Sequence, residues 1–160
     1  MTRASFALSA LLLLVAASSA ATAERVALFP FELINTSMEP TRPDETARLA
    51  RMSPLAAERL AAAGYILVDT TPVAAELARA APLKNCNGCE LKLARQLGAD
   101  FAALGWVQKV SNLILNINMQ IRDVSTGRLV EVASVDIRGN TDESWERGIV
   151  YLLKRRILAP

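Results

Sequence analysis

The clearest periodicity in the chain lies between Asn112 and Asp123. There Leu113, Leu115, Ile117, Met119 and Ile121 alternate with Asn112, Asn116, Asn118, Gln120 and Arg122. A two-residue repeat puts the apolar set on one face of a strand and the amides on the other. Ser125-Thr126-Gly127 then supplies a hairpin turn, with Gly127 suited to positive φ, and Leu129–Arg138 returns as the next strand. Asp100–Val110 precedes the pair as a further strand. Near the start, Glu24–Phe31 (ERVALFPF) is a short apolar run read as a buried strand closed by a proline turn. Glu32–Pro43, with Asn35, Thr36, Ser37, Pro40 and Pro43, reads as a loop.

From Asp44 the period lengthens. Leu49, Met52, Ala56, Leu60 and Ala63 fall on one helical stripe, and Gly64 ends it. Ser53-Pro54 either kinks this helix or restarts it, with Ser53 as cap and Pro54 in the first turn. Tyr65–Asp69 is a strand, Pro72–Ala80 a short Ala-rich helix ended by Pro82, and Glu90–Leu97 a helix stopped at Gly98. Thr141 caps a last helix that turns Trp145, Ile149, Leu152 and Leu153 inward, and Lys154, Arg155 and Arg156 complement its C-terminal dipole. The order β-α-β-α-α-β-β-β-α predicts an α+β domain: a five-stranded mixed sheet, its first strands parallel and its last three an antiparallel meander, with helices on one face.

Met1–Ala23 does not belong to that domain. Arg3, the apolar stretch Ala7–Ala17 and the Ala21-Thr22-Ala23 box have the form of a cleavable export signal. The apolar core is shorter than the about 20 residues a membrane span needs. Residues 24–160 are therefore expected as a single periplasmic domain with no membrane span after cleavage, and a chain of this length makes one core.

Composition removes several function classes. The 160 residues contain no histidine, which excludes Ser-His-Asp and Cys-His catalysis and imidazole metal ligands from this chain. A formal charge of +2 with interspersed signs gives no footprint for nucleic acid. Glycine-rich phosphate loops and nucleophile-elbow motifs are absent, and no residue pattern calls for a cofactor.

Cys86-Asn87-Gly88-Cys89 is the one reactive-looking motif. Asn87 is expected to cap the following helix and Glu90 to complete a capping box, which places Cys89 in a first turn that favours a thiolate. In an oxidising compartment a Cys86–Cys89 disulfide pinning the loop is the favoured reading. Thiol redox chemistry and metal or intermolecular bridging are its alternatives. The amide row Asn112, Asn116, Asn118, Gln120 and Arg122 is a candidate interaction surface, or simply the wetted face of an antiparallel sheet. Trp106 and Gln108 share a parity and belong to this surface or to the core. Met38, Glu39 and Arg42 lie on the long loop, a contact segment without distinctive chemistry. Asp142 and Glu143 are accounted for by the helix dipole.

Three phrases together resemble a bacterial envelope family: Val26-Ala27-Leu28-Phe29-Pro30-Phe31, Leu97-Gly98-Ala99-Asp100-Phe101 with Gly105, and Asp123-Val124-Ser125-Thr126-Gly127. Their order and spacing are similar to the amino-terminal domain of TolB and the periplasmic domain of CsgG. They are closest to exported proteobacterial domains of unknown function, whose endings resemble Ser134–Trp145. The resemblance implies a non-enzymatic periplasmic domain for envelope assembly or protein contact, with no catalytic residues to carry over and another envelope protein as partner. No propeller follows as in TolB, and the lipidated cysteine and membrane-crossing strands of CsgG are missing, so pore formation is not expected. The rival from another class is a thiol-disulfide protein acting through Cys86 and Cys89, and a small-ligand carrier stands third.

Overall fold

The structure is a computed structural model and describes residues 23–158. The expected export signal lies outside them, apart from its last residue. Six strands form one mixed sheet: β1 (Arg25–Leu28), β2 (Glu32–Asn35), β3 (Ile66–Leu67), β4 (Phe101–Lys109), β5 (Ile114–Asp123) and β6 (Leu129–Arg138). The helices are α1 (Pro43–Ala62), α2 (Ala74–Ala80), α3 (Cys89–Gln96) and α4 (Asp142–Leu152). The sheet runs β3-β1-β4-β5-β6, with β2 also paired to β4. Pairing is parallel among β3, β1, β2 and β4 and antiparallel from β4 through β6.

The α+β class and the antiparallel meander are as expected, whereas the sheet has six strands rather than five. Glu32–Asn35, expected as loop, is the added one. Leu28 opposes Ala103 and Glu32 opposes Trp106, so four steps on this side match three on β4. The extra residue is the signature of a bulge. Pro30 sits inside it, where its missing N–H breaks the ladder. The Phe31 N–H, turned out of the sheet, donates to Ser53 Oγ at 2.9 Å. Phe31 folds onto Gly105, where a Cβ would lie 2.2 Å from the ring.

Helices cover both faces, which corrects the expectation of one. On the inner face, Met52, Ala56 and Leu60 of α1 and Trp145, Ile149 and Leu152 of α4 pack on Val107, Leu115, Ile117, Met119 and Ile121. On the outer face, Val73, Leu83, Leu93 and Ala94 pack on Ala27, Phe29, Ala102 and Leu104. β4 is buried from both sides, which explains its run of small residues. Leu113, expected inward, is exposed because β5 begins only at Ile114; Ser111 Oγ accepts from the Leu113 and Ile114 N–H groups in the turn before it. Helix α1 runs through Pro54 without restarting, and the strand expected at Tyr65–Asp69 keeps two residues. Thr141 caps α4 as expected, its Oγ1 accepting from Ser144 N.

Candidate functional site

The layer formed by α2 and α3 stops short of the meander, leaving the outer face of β5 and β6 open. Three cross-strand rows span this face: Trp106–Asn118–Ser134, Gln108–Asn116–Asp136 and Leu104–Gln120–Val132. Trp106 and Gln108 therefore belong with the amides and not with the inner core. Asn116 Nδ2 donates to Ser134 Oγ and Asp136 Oδ1, both at 2.8 Å, and Ser134 Oγ returns a bond to Asn116 Oδ1 at 3.0 Å. These bonds fix the Asn116, Ser134 and Asp136 side chains relative to one another.

At the inner margin, Glu32 accepts from the Leu83 and Lys84 N–H groups at 2.7 and 3.4 Å. The Lys84 ammonium stands 5.0 Å from the centre of the Trp106 ring. The Trp106 indole N–H is buried with no partner among the described residues. At the outer margin β6, ten residues long, is a free edge among the described residues, and Leu129, Val130 and Val132 on it are about half exposed. A long edge with unpaired backbone groups and apolar side chains is a template for strand pairing.

Of the expected interaction row, Asn116, Asn118 and Gln120 lie on this open face. Arg122 points to the same side, but its guanidinium is committed: Nη1 donates to Glu90 Oε1 at 2.7 Å, and Nε and Nη2 donate to the Gly127 carbonyl at 3.0 and 2.7 Å. Asn112 precedes the strand, and its Oδ1 accepts from Asn140 at 3.4 Å. Of the loop residues, Met38 is fully exposed, Glu39 lies 3.8 Å from the Lys109 ammonium and Arg42 pairs with Asp44.

Cys86 and Cys89 are joined, with Cα atoms 5.6 Å apart. Asn87 does not cap α3. It takes φ 54° and Gly88 takes φ 98°, so Gly88 occupies the cap position without a side-chain bond. Glu90, expected in a capping box, is buried against Arg122, and its Oε2 lies 3.6 Å from Cys86 Sγ. Cys86, Cys89 and Glu90 place three metal-ligating atoms together, but sulfurs bonded to each other are not thiolates, so only a reduced pair offers a metal two ligands.

A second polar cluster has no counterpart in the sequence reading. Glu45 and Lys109 are both fully buried and pair at 2.7 Å. Glu45 also accepts from Arg42 N at 2.8 Å and from Asn140 Nδ2. Asn140 Oδ1 accepts from Trp145 Nε1 at 2.8 Å and Arg48 Nη1 at 3.0 Å. Arg48 reaches Asp142 and Asp44 at 2.6 and 2.8 Å. Burial pushes the Glu45 carboxyl up, but bonds from Lys109, Arg42 N and Asn140 outweigh it and hold its pKa below the usual range. The Arg48 hydrogen bond, with Arg51 nearby, holds Asp142 low against its partial desolvation. The cluster joins the end of β4, the start of α1 and the β6–α4 turn. Residues that meet across 90 positions leave no local pattern to read.

The architecture is that of a small α+β domain, a mixed sheet with an open antiparallel meander. The chain belongs to the family described as "Protein of unknown function (DUF2380)", whose model matches residues 24–157. No curated protein matches it in sequence. The C-terminal domain of LpoB from Salmonella enterica has a similar fold, with 16% identity over 72% of this chain and 83% of that one and a TM-score of 0.50. The PelC dodecamer from Paraburkholderia phytofirmans aligns at 16% identity over 81% of this chain and 86% of that one, with a TM-score of 0.51. TolB from Acinetobacter baumannii aligns at 11% identity over 82% of this chain but 28% of its own, with a TM-score of 0.38, and contributes nothing to the argument. At these identities the likeness is one of fold. No helix among the described residues is long and apolar enough to cross a membrane.

Proposed function

We propose that this protein is a non-enzymatic periplasmic domain that works by protein contact in envelope assembly, through the open outer face of β5–β6 and the free edge of β6. The observation that carries the reading is the juxtaposition on that half-sheet. Asn116 and Asn118, held by hydrogen bonds, lie with Gln120 beside Trp106, whose indole N–H has no partner among the described residues, and apolar Leu129, Val130 and Val132 line an edge that no strand among the described residues covers. Interfaces of this kind combine aromatic anchors with satisfied polar contacts. The family match begins at residue 24, where the exported chain is expected to begin after cleavage behind Ala23. The fold is similar to that of PelC, which is a dodecamer, so this scaffold is compatible with assembly.

Substitution tests the reading. Val132→Lys places a charge on the edge and Asn118→Arg a bulky cation on the face, and both leave the inner core untouched. Each should abolish recovery of the envelope partner while melting changes by no more than about 0.5 kcal/mol, the usual range for surface positions. Full partner recovery by both variants refutes the reading.

The buried Glu90 carboxylate beside Cys86 supports one alternative, a thiol-disulfide protein. On that reading Glu90 would take the thiol proton as the reduced pair attacks a substrate disulfide. A structural bridge has a potential below about −300 mV and a catalytic pair a more oxidising one, so equilibration with glutathione separates the two.

A further inference from the structure

We propose that the edge of β6 pairs with β6 of a second copy of this chain, antiparallel about a two-fold axis at Val135, so that two half-sheets become one continuous surface. This pairing deepens the protein-contact reading and rests on it: that reading makes the edge an interface, and the pairing supplies its occupant.

The backbone shows which groups the edge offers. The Gly139 N–H donates to the Leu113 carbonyl at 3.0 Å, and the Val110 N–H donates to the Ile114 carbonyl at 3.1 Å. In an antiparallel ladder such bonded pairs recur at every second residue. Along these registers Glu131, Ala133, Val135 and Ile137 bond to β5, whose even-numbered residues bond to β4. Val132, Ser134, Asp136 and Arg138 therefore turn their N–H and C=O groups to the edge, where no strand among the described residues meets them. Nothing along this stretch blunts it. Residues 132–138 hold no lysine or proline, the extra residue of the ladder, Val130, lies before them, and Asn116 ties the Ser134 and Asp136 side chains towards β5.

The edge is self-complementary in one register. A continued sheet keeps each side chain on its own face, which allows only even residues opposite even ones. With the axis at Val135, Val132 meets Arg138 of the second copy and Ser134 meets its Asp136. Symmetry repeats both pairs, so all four edge residues are bonded. On the inner face Val135 meets itself and Ala133 meets Ile137, apolar against apolar. No like charges stand directly opposite. Moving the axis towards Ser134 brings the bulge at Val130 into the ladder, and moving it to Asp136 sets that carboxylate against itself. The inner row also has surface to cover: Ala133 and Val135 are only half-buried on their own core, and Tyr151, beside Val135 and Ile137, is 48% exposed.

The test uses the purified mature chain alone, with its Cys86–Cys89 bridge intact. Sedimentation equilibrium from about 1 to 500 µM should show monomers passing to dimers. Val135→Cys, with its Cα about 4.5 Å from that of its own copy, should form an intermolecular disulfide under mild oxidation. Ala133→Cys, about 14 Å from its copy along the strands, should not. Ser134→Pro removes an N–H that points to the edge and none that bonds β5, so the monomer should keep its circular dichroism. Its dimer Kd should rise at least about tenfold, the loss of two hydrogen bonds. Ser134→Asp sets like charges opposite each other twice and should weaken the dimer about fivefold; it carries the test if the proline variant unfolds. A chain still monomeric at about 500 µM overturns the proposal. A dimer that crosslinks equally through Ala133→Cys, or that is indifferent to both Ser134 variants, overturns it too. Partner recovery is scored separately through Asn118→Arg, on the face and off the edge, so a monomeric chain leaves the protein-contact reading standing and a failed Asn118→Arg test leaves the dimer standing.

Discussion

Lys109→Met removes the ammonium from the most deeply placed charge pair in the fold and keeps nearly the same side-chain length. Lys109 Nζ lies 2.7 Å from Glu45 Oε1, and both side chains are fully buried. The substitution leaves the Glu45 carboxylate out of water with Arg42 N and Asn140 Nδ2 as its remaining donors. Breaking a buried pair on one side costs about 3–5 kcal/mol, because the surviving charge keeps its desolvation penalty without its partner. For a domain of this size that corresponds to a fall in Tm of about 10–15 °C. Glu45→Gln in the Lys109→Met background removes the stranded charge while keeping an acceptor for Arg42 N, and should recover more than half of the loss.

The signature of the mechanism is its pH dependence. In the wild type the Glu45 pKa is held down, so its contribution is present above the unfolded value and is lost as pH falls through the folded one. In Lys109→Met the uncompensated burial raises that pKa, and the folded state takes up a proton as pH falls. The deficit against wild type should therefore shrink between pH 7 and pH 4. Urea unfolding of the wild type, Lys109→Met and the double variant at several pH values measures it. A single-variant loss below about 1 kcal/mol, or a deficit that does not change with pH, refutes the account of the buried pair.

Ile117→Asp puts an unpaired carboxylate at a fully buried position and should cost several kcal/mol, whereas Asn118→Asp on the open face should change stability little; equal melting losses would contradict the face assignment. Replacing Cys86 and Cys89 by Ser should lower stability by about 2 kcal/mol or less, small because the closed loop is short, and chemical unfolding of the double variant checks it. Bonds from Ser125 and Thr126 lower the Asp123 pKa from 3.8 to about 2. Its stabilisation is complete above pH 4 and disappears as pH falls towards 2, so Asp123→Asn should flatten the stability profile across that window.

Legibility in the sequence followed the range of the interactions. β5 and β6 were readable because each residue of a two-sided strand declares its face, and α4 because Thr141 and the Trp145, Ile149 and Leu152 stripe are local signals. β2 was hidden: four residues, Glu32–Asn35, lead straight into Thr36 and Ser37, and only the parallel register with Trp106–Lys109 makes them a strand. The second helical layer was missed for a related reason. Leu83, Leu93 and Ala94 are too few to mark a face until Ala102 and Leu104 lie beneath them. Within the site, parity placed Asn116, Asn118 and Gln120 correctly. Parity did not reveal that Arg122 spends its charge on Glu90, or that Asn112 falls outside the ladder. Residue type alone points to Asn87 as the cap, whereas its positive φ and that of Gly88 put the cap one residue later, at Gly88.

The central claim, that the half-sheet of β5 and β6 is the working surface, is tested most directly by site-specific photo-crosslinking in the intact periplasm. A photoreactive residue at Asn118 or Val132 should yield a covalent adduct with the same envelope protein. One at Glu58, on the solvent side of α1, should yield none. Adducts of equal strength from Glu58, or none from Asn118 and Val132 in a folded and exported chain, would contradict the account.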